Sequence, residues 1–168
     1  ALGVLAAKLS KSGIIGVCGP VEAGDAKTYV NGFKKGVADT KKDAKVNVVY
    51  TGSFSDVSLM AAAAETHSKA GADVLTGSSQ AVVGAIGVAK DKKAIWLGTQ
   101  ALQTALAPDT VGASQVYDFS GVVKEMLALS AKGTKGGTAF ELSLKTGGLK
   151  IVYNDKLAIS ADAKAAVD

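Results

Sequence analysis

The chain has 168 residues, of which 48% are hydrophobic and 20% are charged, and its net charge is +4. These values suit one folded domain of ordinary size and exclude a disordered tail. Every basic side chain is a lysine. Because nucleic-acid binding proteins rely on arginine forks to contact phosphates and base edges, we expect no nucleic-acid partner.

Cys18 and His67 are the only cysteine and the only histidine. One cysteine excludes an internal disulfide, and one residue of each type practically excludes a zinc site. Cys18 ends a short apolar run and is predicted to be a small buried thiol. No Ser/His/acid spacing and no phosphate-binding glycine loop is present. We therefore expect no catalytic residues, no metal and no cofactor.

Apolar runs and helical patterns alternate through the first two thirds of the chain. A helix is predicted at 1–10, and buried strands are predicted at 14–18, 45–50, 72–75, 94–97 and 112–116. Helices are predicted between the first four strands, at 26–40, 57–70 and 81–90, and the first of them has an apolar face. Asp56 is a good N-cap for the second of these helices. The order predicts an α/β fold with a parallel, doubly wound sheet and flanking helices.

The pattern changes after Tyr117. An amphipathic helix is predicted at 122–131, and two strands at 140–144 and 149–153 form a predicted hairpin around Thr146-Gly147-Gly148. A last helix is predicted at 161–167.

Small, hydroxyl, amide and aromatic residues follow the predicted strands. The carboxyl ends of parallel strands share one edge, where ligands bind in open α/β sheets. Each residue alone fits an ordinary turn, but glutamine and phenylalanine are not turn formers. Together, the residues that follow the strands predict that this edge forms the rim of a binding site for a neutral, polar, planar ligand. The candidate ligand-binding residues are Phe54, Ser78, Ser79, Gln80, Gln100, Gln103 and Tyr117.

Several segments, in order, resemble the basic membrane protein family, which comprises solute-binding lipoproteins of ABC importers similar to the purine nucleoside receptor. The resemblance covers nearly the whole chain. Its most specific segments are Tyr50-Thr51-Gly52-Ser53-Phe54-Ser55-Asp56 and Leu106-Ala107-Pro108-Asp109-Thr110-Val111, preceded by Lys11-Ser12-Gly13-Ile14-Ile15-Gly16-Val17.

The resemblance implies a type I periplasmic-binding-protein fold, in which two lobes close on a ligand. Residues 13–117 would form one ligand-binding α/β lobe, residues 1–12 the last helix of a missing first lobe, and residues 118–168 the elements that complete that lobe. It also implies an ABC permease as partner. The expected location is extracytoplasmic, either membrane-anchored as a lipoprotein or periplasmic, although no signal is visible in the chain.

In the family's nucleoside receptors, an aromatic residue at the position of Phe54 stacks on the purine. Gln100 stands where those receptors have an aspartate that holds the ribose, and Tyr117 stands where they have a lysine. The resemblance thus implies a stacked planar group without charged ribose contacts. The ligand would be a purine-like nucleoside, a free nucleobase or another small planar polar molecule.

Two other functions stay open: a ligand-sensing regulatory protein of the same fold and, with less support, a small α/β enzyme. A homo-oligomer is also expected for the chain by itself. Its amphipathic helix and the strands after it would otherwise leave apolar surface exposed.

Overall fold

The structure is a computed structural model that describes residues 1–167, in which helices cover both faces of a single sheet. The helices are α1 (Leu2–Leu9), α2 (Gly24–Thr40), α3 (Val57–Lys69), α4 (Val82–Asp91), α5 (Ser120–Ala131) and α6 (Ala161–Ala165). The strands are β1 (Ile14–Gly19), β2 (Lys45–Tyr50), β3 (Val74–Gly77), β4 (Ile95–Gly98), β5 (Val111–Tyr117) and β6 (Leu149–Tyr153). No helix in this part of the chain is both long and apolar enough to cross a membrane.

The strands lie in the order β2-β1-β3-β4-β5-β6, and β1 to β5 are mutually parallel. This confirms the predicted α/β fold and its parallel sheet. The chain passes from β1 outward to β2 and then back across β1 to β3. The sheet therefore reverses its winding direction between β1 and β3, and a crevice forms at such a point.

The predicted hairpin at 140–144 and 149–153 is wrong. Only Leu149–Tyr153 forms a strand, and it pairs antiparallel with β5, so that Tyr117 lies opposite Leu149. The segment before it is held in turns, because the hydroxyls of Ser143 and Thr146 exchange hydrogen bonds with each other's backbone N–H groups at 3.1 and 3.2 Å. These local bonds compete with strand pairing.

Two apolar cores lie on opposite faces of the sheet. On one face, α1 and α2 bury Leu5, Val30 and Phe33. On the other face, α3 and α4 bury Met60 and Ile86 together with Trp96 of β4. Burial of both faces explains why β1, β3 and β4 are almost continuously apolar rather than alternating. The prediction of a buried strand at 45–50 is wrong in this respect, because β2 lies at the edge of the sheet and is only half-buried.

Helix α1 packs closely on α2 and shares its core. A Cβ atom at Gly3 would lie 2.1 Å from the carbonyl oxygen of Phe33, so only glycine allows this approach. The Asp73 carboxylate accepts hydrogen bonds from the Ser10 hydroxyl and from the backbone N–H groups of Lys11 and Ser12, at 2.7 to 2.8 Å. Residues 1–12 are thus part of the same packed unit as the sheet.

Helix α5 has no buried residue and presents an apolar stripe to solvent. Val123, Met126 and Leu127 are 49%, 51% and 66% exposed. The amphipathic pattern that predicted this helix is present, but its apolar side is only partly covered, with Val122 and Leu129 half-buried. Assignment of residues 118–168 to a second lobe stays a prediction.

His67 is a buried imidazole on α3 whose Nε2–H donates to the carbonyl oxygen of Val17 at 3.0 Å. Burial lowers its pKa, and the hydrogen bond only partly offsets that effect. The unfolded chain therefore binds a proton more readily than the folded one, and the free energy of unfolding should fall as the pH drops below about 6.5. One proton limits the slope to about 1.4 kcal/mol per pH unit.

Urea unfolding between pH 7.5 and pH 5 measures this slope, with His67→Leu as the comparison. No other imidazole titrates there, because His67 is the only histidine. An equal slope in the variant would contradict the assignment.

Candidate functional site

The candidate site lies at the carboxyl edge of the sheet, where the five parallel strands end. The loops that follow β1 to β4 and the last residues of β5 share this edge. All seven predicted ligand-binding residues lie on these loops or at the end of β5. Their exposure and hydrogen bonds differ, so that some of these side chains are free to meet a ligand and others are already bonded within the fold.

Phe54 is carried by a loop that hydrogen bonds hold in one shape. The backbone N–H groups of Thr51 and Gly52 donate to Gly19 and Pro20 at 2.9 and 2.7 Å, which ties this loop to the end of β1. The Asp56 carboxylate accepts from the N–H of Leu59 at 2.9 Å and caps α3, as predicted. The Phe54 ring is 47% exposed. A half-exposed ring on a fixed loop is well suited to stack on a ligand.

Residues 78–80 lie at the crevice between β1 and β3, just before α4. The Ser79 hydroxyl accepts a hydrogen bond from the N–H of Ala81 at 3.1 Å, so it helps to begin that helix. Ser78 is 8% exposed, and its buried hydroxyl has no hydrogen-bond partner among residues 1–167. Gln80 is exposed, and its amide makes no hydrogen bond within the described chain. Of these side chains, Gln80 is the one free to meet solvent or ligand.

The two glutamines after β4 have different surroundings. Gln103 is buried: its Oε1 accepts from Trp96 Nε1–H at 2.7 Å, and its Nε2 donates to the Thr99 carbonyl at 2.9 Å. Gln100 has a left-handed backbone, with φ of 71°. Its side-chain amide makes no hydrogen bond within residues 1–167. A non-glycine residue in this conformation is strained, and such strain is concentrated at functional sites. Gln103 thus shapes the loop, and Gln100 presents a free amide.

Tyr117 ends β5 and is 41% exposed, with its ring edge-to-face against Phe119 at 5.7 Å. Burial raises its pKa, and the negative charge of Asp25 adds to that increase. Asp25 lies in the first turn of α2 and places a negative charge near this end of the rim.

Phe54 and Tyr117 stand at opposite ends of the rim. The loops of β1, β3 and β4 lie between them. With a strand spacing of about 4.8 Å, β2 and β5 are about 19 Å apart. Phe54 and Tyr117 therefore cannot sandwich one ring of a small ligand.

Tyr29 is a residue at this edge that the sequence patterns did not reveal. In α2 it directly precedes the buried Val30 and lies one turn before the buried Phe33. Its hydroxyl is 2.6 Å from the Thr76 hydroxyl, which in turn donates to the Leu97 carbonyl at 2.7 Å. This chain of bonds joins α2 to the ends of β3 and β4. The one sequence signal for such a contact was the hydroxyl of Tyr29 on an otherwise apolar face of the helix.

No group of three or more His, Cys, Asp or Glu side chains in residues 1–167 is placed to hold a metal ion. Cys18 is buried at the end of β1, and burial raises the pKa of its thiol to about 12. A thiol with so high a pKa is a poor nucleophile at neutral pH.

The family model for PnrA-like substrate-binding proteins of ABC transporters, Bmp, matches residues 2–168. The chain belongs to the Bmp family. Basic membrane protein A of Borreliella burgdorferi is 30% identical over 171 residues, which cover 99% of this chain and 50% of that protein. The ABC transporter nucleoside-binding protein BmpA of Lactococcus lactis is 27% identical, over 97% of this chain and 52% of its own length.

Among solved structures, an ABC transporter solute-binding protein from Conexibacter woesei superposes with a TM-score of 0.80 at 20% identity. The superposition covers 99% of this chain and 56% of the other. This likeness shows the fold, which is that of type I periplasmic binding proteins. The Bmp chain thus spans about half the length of the relatives that it matches.

Proposed function

We propose that this Bmp chain binds a purine-like nucleoside, a nucleobase or another small planar polar ligand at the carboxyl edge of its sheet. The observation that carries the proposal is the half-exposed Phe54 ring on a hydrogen-bonded loop, with unbonded amides at Gln80 and Gln100 on the same edge. The ring would stack on the planar group. The amides both donate and accept, so they would recognise its neutral polar edge.

The family supports a role for the whole protein as the solute-binding component of an ABC importer. The ligand would then be held between this unit and a second lobe, and an ABC permease would respond to the closed form. Residues 13–117 would supply the ligand rim. Such a protein acts outside the cytoplasm, anchored to the membrane or in the periplasm, and binds its ligand without turnover.

The test is isothermal titration calorimetry with adenine, hypoxanthine, adenosine, inosine and free ribose. We expect binding of at least one purine compound, no binding of ribose, and recovery of the ligand unchanged. Failure of all the purine compounds to bind, in this chain and in the full-length protein, would contradict the proposal.

Replacement of Phe54 by leucine removes the ring but keeps an apolar side chain. We expect the dissociation constant for the bound purine to rise about tenfold, since loss of aromatic stacking is worth about 1 kcal/mol or slightly more. Leu127→Ala on α5, which alters another exposed apolar side chain, is the control and should leave the affinity unchanged. Equal affinities of wild type and Phe54→Leu would exclude stacking on this ring.

A further inference from the structure

A cavity of about 670 Å³ lies between α2 and residues 140–149, beyond the Tyr117 end of the rim. Its size falls within the range of about 300 to 1,000 Å³ that is usual for small-molecule sites. It is open to solvent, because the rings of Tyr117 and Phe119 on its wall are 41% and 52% exposed. Of the predicted ligand-binding residues, only Tyr117 lines it.

Aromatic side chains are concentrated around this cavity. The chain has nine aromatic residues, and five of them line the cavity: Tyr29, Phe33, Tyr117, Phe119 and Phe140. Two ring pairs contribute, with centroids 6.0 Å apart for Tyr29 and Phe33 and 5.7 Å apart for Tyr117 and Phe119. Aromatic faces carry partial negative charge, so such a wall attracts cations as well as apolar groups.

Two charged side chains in the described part of the chain line the cavity, and both are acidic. Asp25 and Glu141 line the cavity, and neither forms an ion pair with any described residue. No lysine of residues 1–167 is on the lining, although the chain is rich in lysine and has a net charge of +4. Ala1 also lines the cavity; its α-amino group forms no ion pair with Asp25 or Glu141, and burial lowers the pKa of that group.

The negative charge of Asp25 is felt at the aromatic wall of the cavity. Its charge contributes to the raised pKa of Tyr117, so its field reaches the rings. An anionic ligand would be repelled by Asp25 and Glu141. A neutral ligand would gain no attraction from the charge of either carboxylate. A cation with an apolar body would be complementary to the rings and the carboxylates together.

We propose that this cavity binds an organic cation, an amine or quaternary ammonium group on an apolar body. The cation lies against the rings of Tyr117 and Phe119, and Asp25 and Glu141 supply its counter-charge. The site is separate from the Phe54 end of the rim and stands whether or not the chain binds a purine.

Choline and its neutral isostere 3,3-dimethylbutan-1-ol are the probes, because they share one shape and differ in charge. Titration followed by NMR should give a dissociation constant for choline at least about tenfold lower than that of the alcohol. The Asp25→Asn, Glu141→Gln double variant should weaken choline about fivefold and leave the alcohol unchanged. Both carboxylates are exposed, so the double variant should retain its fold, which circular dichroism checks.

The control is the Asp43→Asn, Asp155→Asn double variant, which changes net charge equally at exposed positions outside the cavity and should bind choline like wild type. Phe119→Leu should weaken choline about threefold while sparing the alcohol. The proposal is overturned if choline does not bind, if the alcohol binds as tightly, or if the Asp25→Asn, Glu141→Gln variant keeps wild-type affinity for choline.

Discussion

Replacing Gln103 by leucine is expected to lower the free energy of unfolding by about 3 kcal/mol. The substitution leaves the buried N–H of Trp96 without its partner at 2.7 Å, and it removes one of the two hydrogen bonds that the Thr99 carbonyl accepts, the one from Gln103 at 2.9 Å. An unsatisfied buried polar group costs about 1 to 3 kcal/mol. In a chain of this length the melting temperature should drop by about 9 °C.

Gln80→Leu is the matched control, since Gln80 also follows a strand but is exposed and unbonded within residues 1–167. Its effect should stay within about 0.5 kcal/mol. Urea unfolding of both variants separates a glutamine that shapes its loop from one that is free for ligand. Equal stability of the two variants would contradict the distinction.

Replacing Gly84 by alanine is expected to lower the free energy of unfolding by about 2 kcal/mol, although alanine favours helices. A Cβ atom there would lie 2.2 Å from the carbonyl oxygen of Val57, the first residue of α3. The start of α3 must move to accept it, and the loop with Phe54 immediately precedes that point. We therefore expect weaker binding of the planar ligand as well.

Gly87, one turn along the same helix, provides the comparison. A Cβ atom at Gly87 meets no atom within 4 Å, so Gly87→Ala should stabilise the chain by up to about 1 kcal/mol. Thermal unfolding of both variants is the measurement. A Gly84→Ala variant at least as stable as Gly87→Ala would show that α4 and the start of α3 do not pack in this way.

Local patterns were sufficient to predict the five parallel strands, because each contains a short apolar run, mostly β-branched, near a glycine; this holds even for β2, which is only half-buried at the sheet edge. The Asp56 cap was predictable for the same reason: it depends on residues within one turn. Residues 140–144 alternate apolar and polar side chains as a strand does, but the hydroxyls of Ser143 and Thr146 hold that segment in turns.

The positions of the rim residues along the chain were predictable, whereas the direction of each side chain was not. Gln100 and Gln103 look equivalent in the sequence. Only the structure brings the indole of Trp96 to Gln103 and leaves Gln100 unbonded with a left-handed backbone. Likewise, the Tyr29 hydroxyl meets Thr76, which is 47 residues away in sequence.

The central claim is that a planar polar ligand binds at the carboxyl edge of the sheet, on the Phe54 side. The most direct test is a two-dimensional ¹⁵N NMR titration with the purine compound that calorimetry selects. We predict that the backbone amides of Phe54, Gln80 and Gln100 shift together, while those of Lys45 and Asp73 at the opposite edge stay in place. Binding that shifts the amides at Lys45 and Asp73 and leaves the Phe54 loop unchanged would contradict the account.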